Sequence, residues 1–201
     1  MSRLLKSAGE KAHERSIRIS TYPVDDSYMI VEGELMDDRI KDYYLVTGEK
    51  RPSGKIHHMV VRLLIRINDM LIDDVEVEML SVPRDECGET SNSLDIIKGL
   101  RITRGFSSEI RSLLGGTKGC THLVTLLTSM APAALQGLWS YKSQKPVDSS
   151  VSSYTDDRER IEKMSGVLIN SCYVWREDGP ACRRLRDAIE KLDGKMGAGK
   201  S

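Results

Sequence analysis

Residues 59–79 read Met59-Val-Val-Arg-Leu-Leu-Ile-Arg-Ile-Asn-Asp-Met-Leu-Ile-Asp-Asp-Val-Glu-Val-Glu-Met79. Val61, Leu63, Ile65 and Ile67 alternate with Arg62 and Arg66, Asn68-Asp69 offers a turn, and Val75, Val77 and Met79 alternate with Glu76 and Glu78. Successive strand side chains point to opposite faces, so this spacing predicts a β-hairpin with one buried face and one charged face. Arg62 and Arg66 stand where they can meet Glu76 and Glu78. Exposed cross-strand pairs contribute only ~0.2–1 kcal/mol each, so burial of the apolar face dominates.

Upstream, residues 1–14 are polar and read as an arm. Ile17 and Ile19 alternate with Arg18 and Ser20 in a strand from Arg15 that Tyr22-Pro23 closes. Residues 28–36 read as a second strand, with Gly33 as a bulge. Asp37-Asp38-Arg39 reads as a turn, Asp42–Val46 as a short third strand, and Thr47–Gly54 as a loop. Asp25-Asp26 and Asp73-Asp74 read as turn formers.

Downstream of Pro83 the period becomes helical. Ser93–Leu100 reads as a short helix ended by Gly99. Ser107 or Ser108 caps a second helix that runs to Leu114 and stops at Gly115-Gly116. From Thr121 to about Tyr141, Leu123, Leu126, Leu127, Met130, Ala134 and Leu138 form one apolar stripe, with Pro132 inside it as a kink site. Residues 144–153 read as a Ser-rich linker. A charged helix near 155–165, an apolar stretch over 167–175, a turn at Asp178-Gly179-Pro180 and a basic helix over 181–193 follow. Strands followed by helices predict an α+β fold: an antiparallel sheet with helices packed on one face, plus a C-terminal helical appendage. The expected organisation is an arm over 1–14, a core domain over 15–145, a helical segment over 154–193 packing on the core, and a disordered tail over 194–201.

The 201 residues suffice for one domain or a domain plus a small appendage. Thirty basic against thirty acidic residues give zero net charge, which argues against a nucleic-acid binder. No apolar run approaches the ~20 residues that span a bilayer, so no membrane role is expected. The N-terminus shows no export signal, and four Cys then read as reduced thiols of a cytoplasmic protein.

Metal-ligating residue types fall at three element junctions. His57 and His58 open the hairpin, Cys87 lies just past its far end, and Cys120 and His122 stand where Gly115–Gly119 enters the long helix. A helix packed across the sheet can bring its N-terminus to the same edge, so the three segments can converge. Zinc or iron takes three or four imidazole and thiolate ligands. The expected set is His57, Cys87, Cys120 and His122, with His58 as the alternative. Residues i and i+2 diverge inside a helix, so Cys120 and His122 converge only if Cys120 lies in the loop and Thr121 is the N-cap. Without metal, Cys120 can act as a nucleophile with His57 or His122 as base. The blander reading makes both Cys small buried hydrophobes. Cys172 and Cys182 flank the turn at Gly179-Pro180 and read as two free thiols, and Tyr173 and Trp175 as packing residues. Gly194–Ser201 matches the P-loop pattern but lacks the preceding strand and the following helix, so no nucleotide is expected.

The strings Gly54-Lys-Ile-His57-His58-Met59-Val-Val-Arg62, Pro83…Cys87, Gly115-Gly-Thr-Lys-Gly-Cys120-Thr-His122-Leu123 and Cys172…Trp175…Gly179-Pro180 resemble the bacterial domain of unknown function (DUF) family 2889, from about Arg15 to Pro180. That pattern carries His-Asp-Met where this chain has His57-His58-Met59, so a carboxylate is missing at that place. The family implies no assigned reaction. Met59–Cys87 and Lys118–Lys145 are also similar in spacing to the central hairpin and last helix of the IscU-type iron–sulfur scaffold. That resemblance implies an IscU-like core, with Cys87 and the Cys120/His122 pair at cluster-ligand positions. The expected function is that of a zinc- or iron-binding accessory or scaffold-like protein; the alternatives are a small metal- or thiol-dependent enzyme acting on a small molecule and a non-catalytic interaction module. Each admits a protein partner or a homo-oligomer.

Overall fold

The computed structural model of the chain describes residues 2–144, 162, 165–166 and 168–198. The chain divides into two compact units, Met1–Gln144 and Lys145–Ser201. In the first unit, β1 (His13–Pro23), β2 (Tyr28–Arg39), a minor hairpin of β3 (Tyr43–Tyr44) and β4 (Lys50–Arg51), β5 (Gly54–Arg66) and β6 (Leu71–Ser81) follow in chain order. The main sheet is antiparallel in the order β1-β2-β5-β6. After it come a 3₁₀ run at Asp85–Ile97, α1 (Phe106–Leu114), a 3₁₀ turn at Gly116–Lys118 and α2 (Thr121–Ser143). The fold is α+β, as the order of elements predicts.

The β5–β6 hairpin forms where its alternation places it. Met59, Val61, Leu63 and Ile65 are fully buried on the helix-covered face. Arg62 bonds Glu32 and Glu78 on the open face, whereas Arg66 pairs with Asp69 at the turn rather than with a β6 glutamate. Leu123, Leu126, Leu127, Met130 and Ala134 of α2 are fully buried against the sheet. Each fully buried large apolar side chain contributes roughly 1.5–3 kcal/mol, so the stripe fixes where α2 lies.

Several local expectations are corrected. Gly33 is not a bulge, because its register with Val61 and Ile19 is continuous. Its role is close approach: a Cβ there would stand 2.6 Å from Met130 Sδ and 3.0 Å from Leu126 Cδ1. Gly137 is the matching seat on the helix, where a Cβ would stand 2.2 Å from Thr21 Oγ1. Met130 over Gly33 and Gly137 over Thr21 set α2 antiparallel to β2. Asp37-Asp38-Arg39 does not turn but continues β2, paired on both sides. The expected third strand shrinks to β3, and the expected loop holds β4. The first helix after Pro83 begins early and is 3₁₀, because the hydroxyls of Thr90, Ser91 and Ser93 each bond the carbonyl three residues back. Gly105, not a serine, precedes α1.

In the second unit, residues 169–179 run through turns and bends and Pro180 opens α3 (Pro180–Ala198), in keeping with proline's fixed φ at a first helical position. The helix takes in the basic stretch over 181–193 and extends into the stretch expected as a tail. Single glycines such as Gly194 cost only ~1 kcal/mol in a helix and need not end it. Cys172 and Cys182 are both free thiols. The Ser-rich linker beyond residue 144, most of the expected charged helix near 155–165 and the last three residues of the P-loop match lie outside the described residues. No described helix is long and apolar enough to cross a membrane.

Candidate metal centre

Strand pairing builds the site. Arg15 on β1, Asp37 on β2 and His57 on β5 lie in one straight row across three strands, as the pairs Arg15↔Asp37 and Asp37↔His57 show. The row shares the sheet face of Met29, Val31 and Leu35, the face covered by α2. His13 lies two residues before Arg15 on the same face. The register breaks immediately after Asp37/His57 and again between His58 and Met59 on the other edge of β5. Bulges of this kind re-aim side chains next to functional sites. Because α2 runs antiparallel to β2, its first turn arrives at this row and delivers His122.

Asp37 is the organising group, and its side chain is only 2% exposed. Arg15 grips it with two bonds, Nε to Oδ1 at 2.6 Å and Nη2 to Oδ2 at 2.7 Å. His57 Nδ1 lies 3.0 Å from Oδ2, His122 Nε2 3.5 Å from Oδ2, and His13 Nε2 3.3 Å from Oδ1. The His57 and His122 rings stack with centroids 3.7 Å apart. The Arg15 bond first, and the His57 bond after it, outweigh burial and hold the Asp37 carboxyl at about 2, well below the usual carboxylate range. One buried anion is thus ringed by three imidazoles and a guanidinium.

Among the described residues, Asp37, His57 and His122 are the group whose ligand atoms all lie within 4.8 Å of one another. Ligand atoms held ~2.1 Å from one ion stand about 2.9–3.5 Å apart along octahedral or tetrahedral edges. The 3.0 and 3.5 Å separations to Asp37 Oδ2 fall in that interval. The cluster can therefore hold a metal ion.

Of the residues expected from sequence, His57 and His122 come together here. Cys120 stands beside them, its Sγ 3.7 Å from His122 Nδ1. Cys120 itself, not Thr121, is the N-cap residue, with extended backbone that turns its side chain back toward the ring. Burial pushes the Cys120 thiol up, but the His122 ring and the nearby N–H groups of Leu123 and His122 outweigh it and bring it below its ordinary value. Cys87 is outside the three-residue group, half-buried in the 3₁₀ run that begins at Asp85. His58 points to the opposite sheet face, where Nε2 meets Glu34 Oε1 at 2.9 Å.

Sequence reasoning missed Asp37, Arg15 and His13. Their signal was phase. Asp37 continues the odd-numbered apolar face of β2, and His13 and Arg15 continue that of Ile17 and Ile19. A carboxylate in phase with a buried face must find partners there.

A family model described as a protein of unknown function (DUF2889) matches residues 13–136. The matched span contains every residue of the cluster and ends before the second unit. No curated protein and no solved structure matches the chain.

Proposed function

The chain belongs to the DUF2889 family, and from that footing we propose that it binds one zinc or iron ion through Asp37 Oδ2, His57 Nδ1 and His122 Nε2, leaving coordination positions open to a small molecule. The observation that carries this reading is the convergence of the two ring nitrogens on one oxygen of a buried carboxylate. Two imidazoles and a carboxylate form a borderline-to-hard donor set that suits either metal. Three protein ligands distinguish such a site from a closed structural one. An ion there would act as a Lewis acid on a bound oxygen or lower the pKa of a bound water. The chain's own groups have separate tasks. Arg15 keeps Asp37 ionised and oriented. Cys120, through His122 Nδ1, selects the tautomer that turns Nε2 toward Asp37.

The accessory or scaffold reading draws on thiol ligands; Cys120 stands beside the cluster, and Cys87 lies outside the three-residue group. The thiol-enzyme reading draws on the Cys120–His122 contact, with the sulfur as nucleophile and the ring as base. Metal analysis of protein made in zinc- and iron-replete medium separates these readings. The proposal expects about one ion per chain, lost in Asp37→Asn and His122→Ala and retained in Cys87→Ser. Metal-free wild-type protein, with Cys120 alkylated selectively by iodoacetamide, would support the thiol reading instead.

A further inference from the structure

We infer that the ion's open positions take a small anionic oxygen ligand, a carboxylate or a phosphate; this deepens the metal reading above and rests on it. The argument is one of charge. Asp37 is the one anionic member of the ligand group, and Arg15 already cancels it through two bonds. A divalent ion bound there would add two positive charges, and among the described residues no second carboxylate is paired with His13, Arg15, His57 or His122 to offset them. Charge held in a partly desolvated place favours compensation, and an anionic ligand supplies it.

Access supports the same ligand class. His57 and His122 side chains are 14% and 24% exposed, whereas those of His13 and Arg15 are 47% and 37% exposed. The solvent-facing flank of the cluster is thus β1, and it presents a guanidinium. Two of Arg15's three nitrogens hold Asp37, and Nη1 has no partner among the described residues. An anion reaching the ion from that flank meets positive charge on its way in. A neutral carbonyl or alcohol gains none of this.

Cobalt(II) provides the probe, because its visible band reports coordination. The full chain is loaded with cobalt, then titrated with acetate, inorganic phosphate and, as a neutral isostere of acetate, acetamide, at constant ionic strength. Acetate or phosphate is expected to shift the band saturably, with acetamide at least tenfold weaker; the tighter of the two anions identifies the oxygen chemistry. At saturating cobalt, Arg15→Gln is expected to weaken the anion about tenfold whatever it does to cobalt affinity, and Arg15→Lys, which keeps the charge, to recover most of that loss. A role for Arg15 confined to holding Asp37 would instead change cobalt affinity and leave the anion constant of the cobalt-saturated protein unaltered. A cobalt band indifferent to both anions, or equally sensitive to acetamide, overturns this inference and leaves the metal reading standing. Failure of wild-type protein to bind cobalt, zinc or iron overturns both.

Discussion

Arg15 and Asp37 face each other across β1 and β2 and are joined by two parallel bonds of 2.6 and 2.7 Å. This fork keeps a carboxylate ionised on the buried side of a sheet, in a row where the rest of β2 is apolar. Arg15 is the counter-ion of the metal-free cluster, and a bound cation would share that duty. Arg15→Gln should therefore destabilise the metal-free protein by about 1–3 kcal/mol, since the buried carboxylate loses its two charge-assisted bonds and keeps only imidazole partners. The loss should shrink when zinc is present. Urea unfolding with chelator and with zinc measures both.

The Asp37 carboxyl has a folded value of about 2, below its unfolded value. A depressed acid contributes stability above its unfolded pKa and loses it as pH falls toward the folded one. The metal-free protein should therefore lose on the order of 2 kcal/mol between pH ~4 and ~2 through this group. In Asp37→Asn that part of the acid dependence should be absent. Equal slopes for the two proteins in chelator, followed by circular dichroism, would contradict the assignment.

Met130 sits over Gly33, where a Cβ would come within 2.6 Å of its sulfur. Gly33→Ala should cost ~1–3 kcal/mol by overpacking. In a Met130→Ala background, which removes both the sulfur and Cγ, the same change should cost much less. A double-mutant cycle by denaturant unfolding reads the coupling. Lifting α2 also moves His122, so Gly33→Ala should weaken zinc binding while Ile17→Ala, on the exposed edge of β1, should not.

Cys120→Ser should lower zinc affinity by roughly 10-fold, the scale expected when a ligand's orienting partner is weakened. Cys87→Ser should leave it unchanged. Competition against a chromophoric chelator gives both values. An equal loss from the two variants would restore Cys87 as a ligand.

The hairpin and the long helix were legible because their signals are periodic: alternation in residues 61–79 and a three-four stripe from Leu123 to Leu138. His57 and His122 stood out because their residue type is scarce and both mark element junctions. Asp37 was hidden because Asp-Asp-Arg is also good turn chemistry, and only pairing on both sides shows it to be strand. Gly33 was hidden because a glycine in a strand fits a bulge and a close approach equally well; the helix that needs the space lies nearly a hundred residues away. Cys87 falls outside the three-residue group because nearness to a hairpin end does not fix the direction of a 3₁₀ run.

The most direct test of the metal centre is an anomalous-scattering map at the zinc edge from crystals of the zinc-loaded protein. The account predicts one peak within about 2.0–2.2 Å of Asp37 Oδ2, His57 Nδ1 and His122 Nε2. A peak held by Cys87 and Cys120 without Asp37, or no peak with the Asp37–His57 bond intact at saturating zinc, would contradict it.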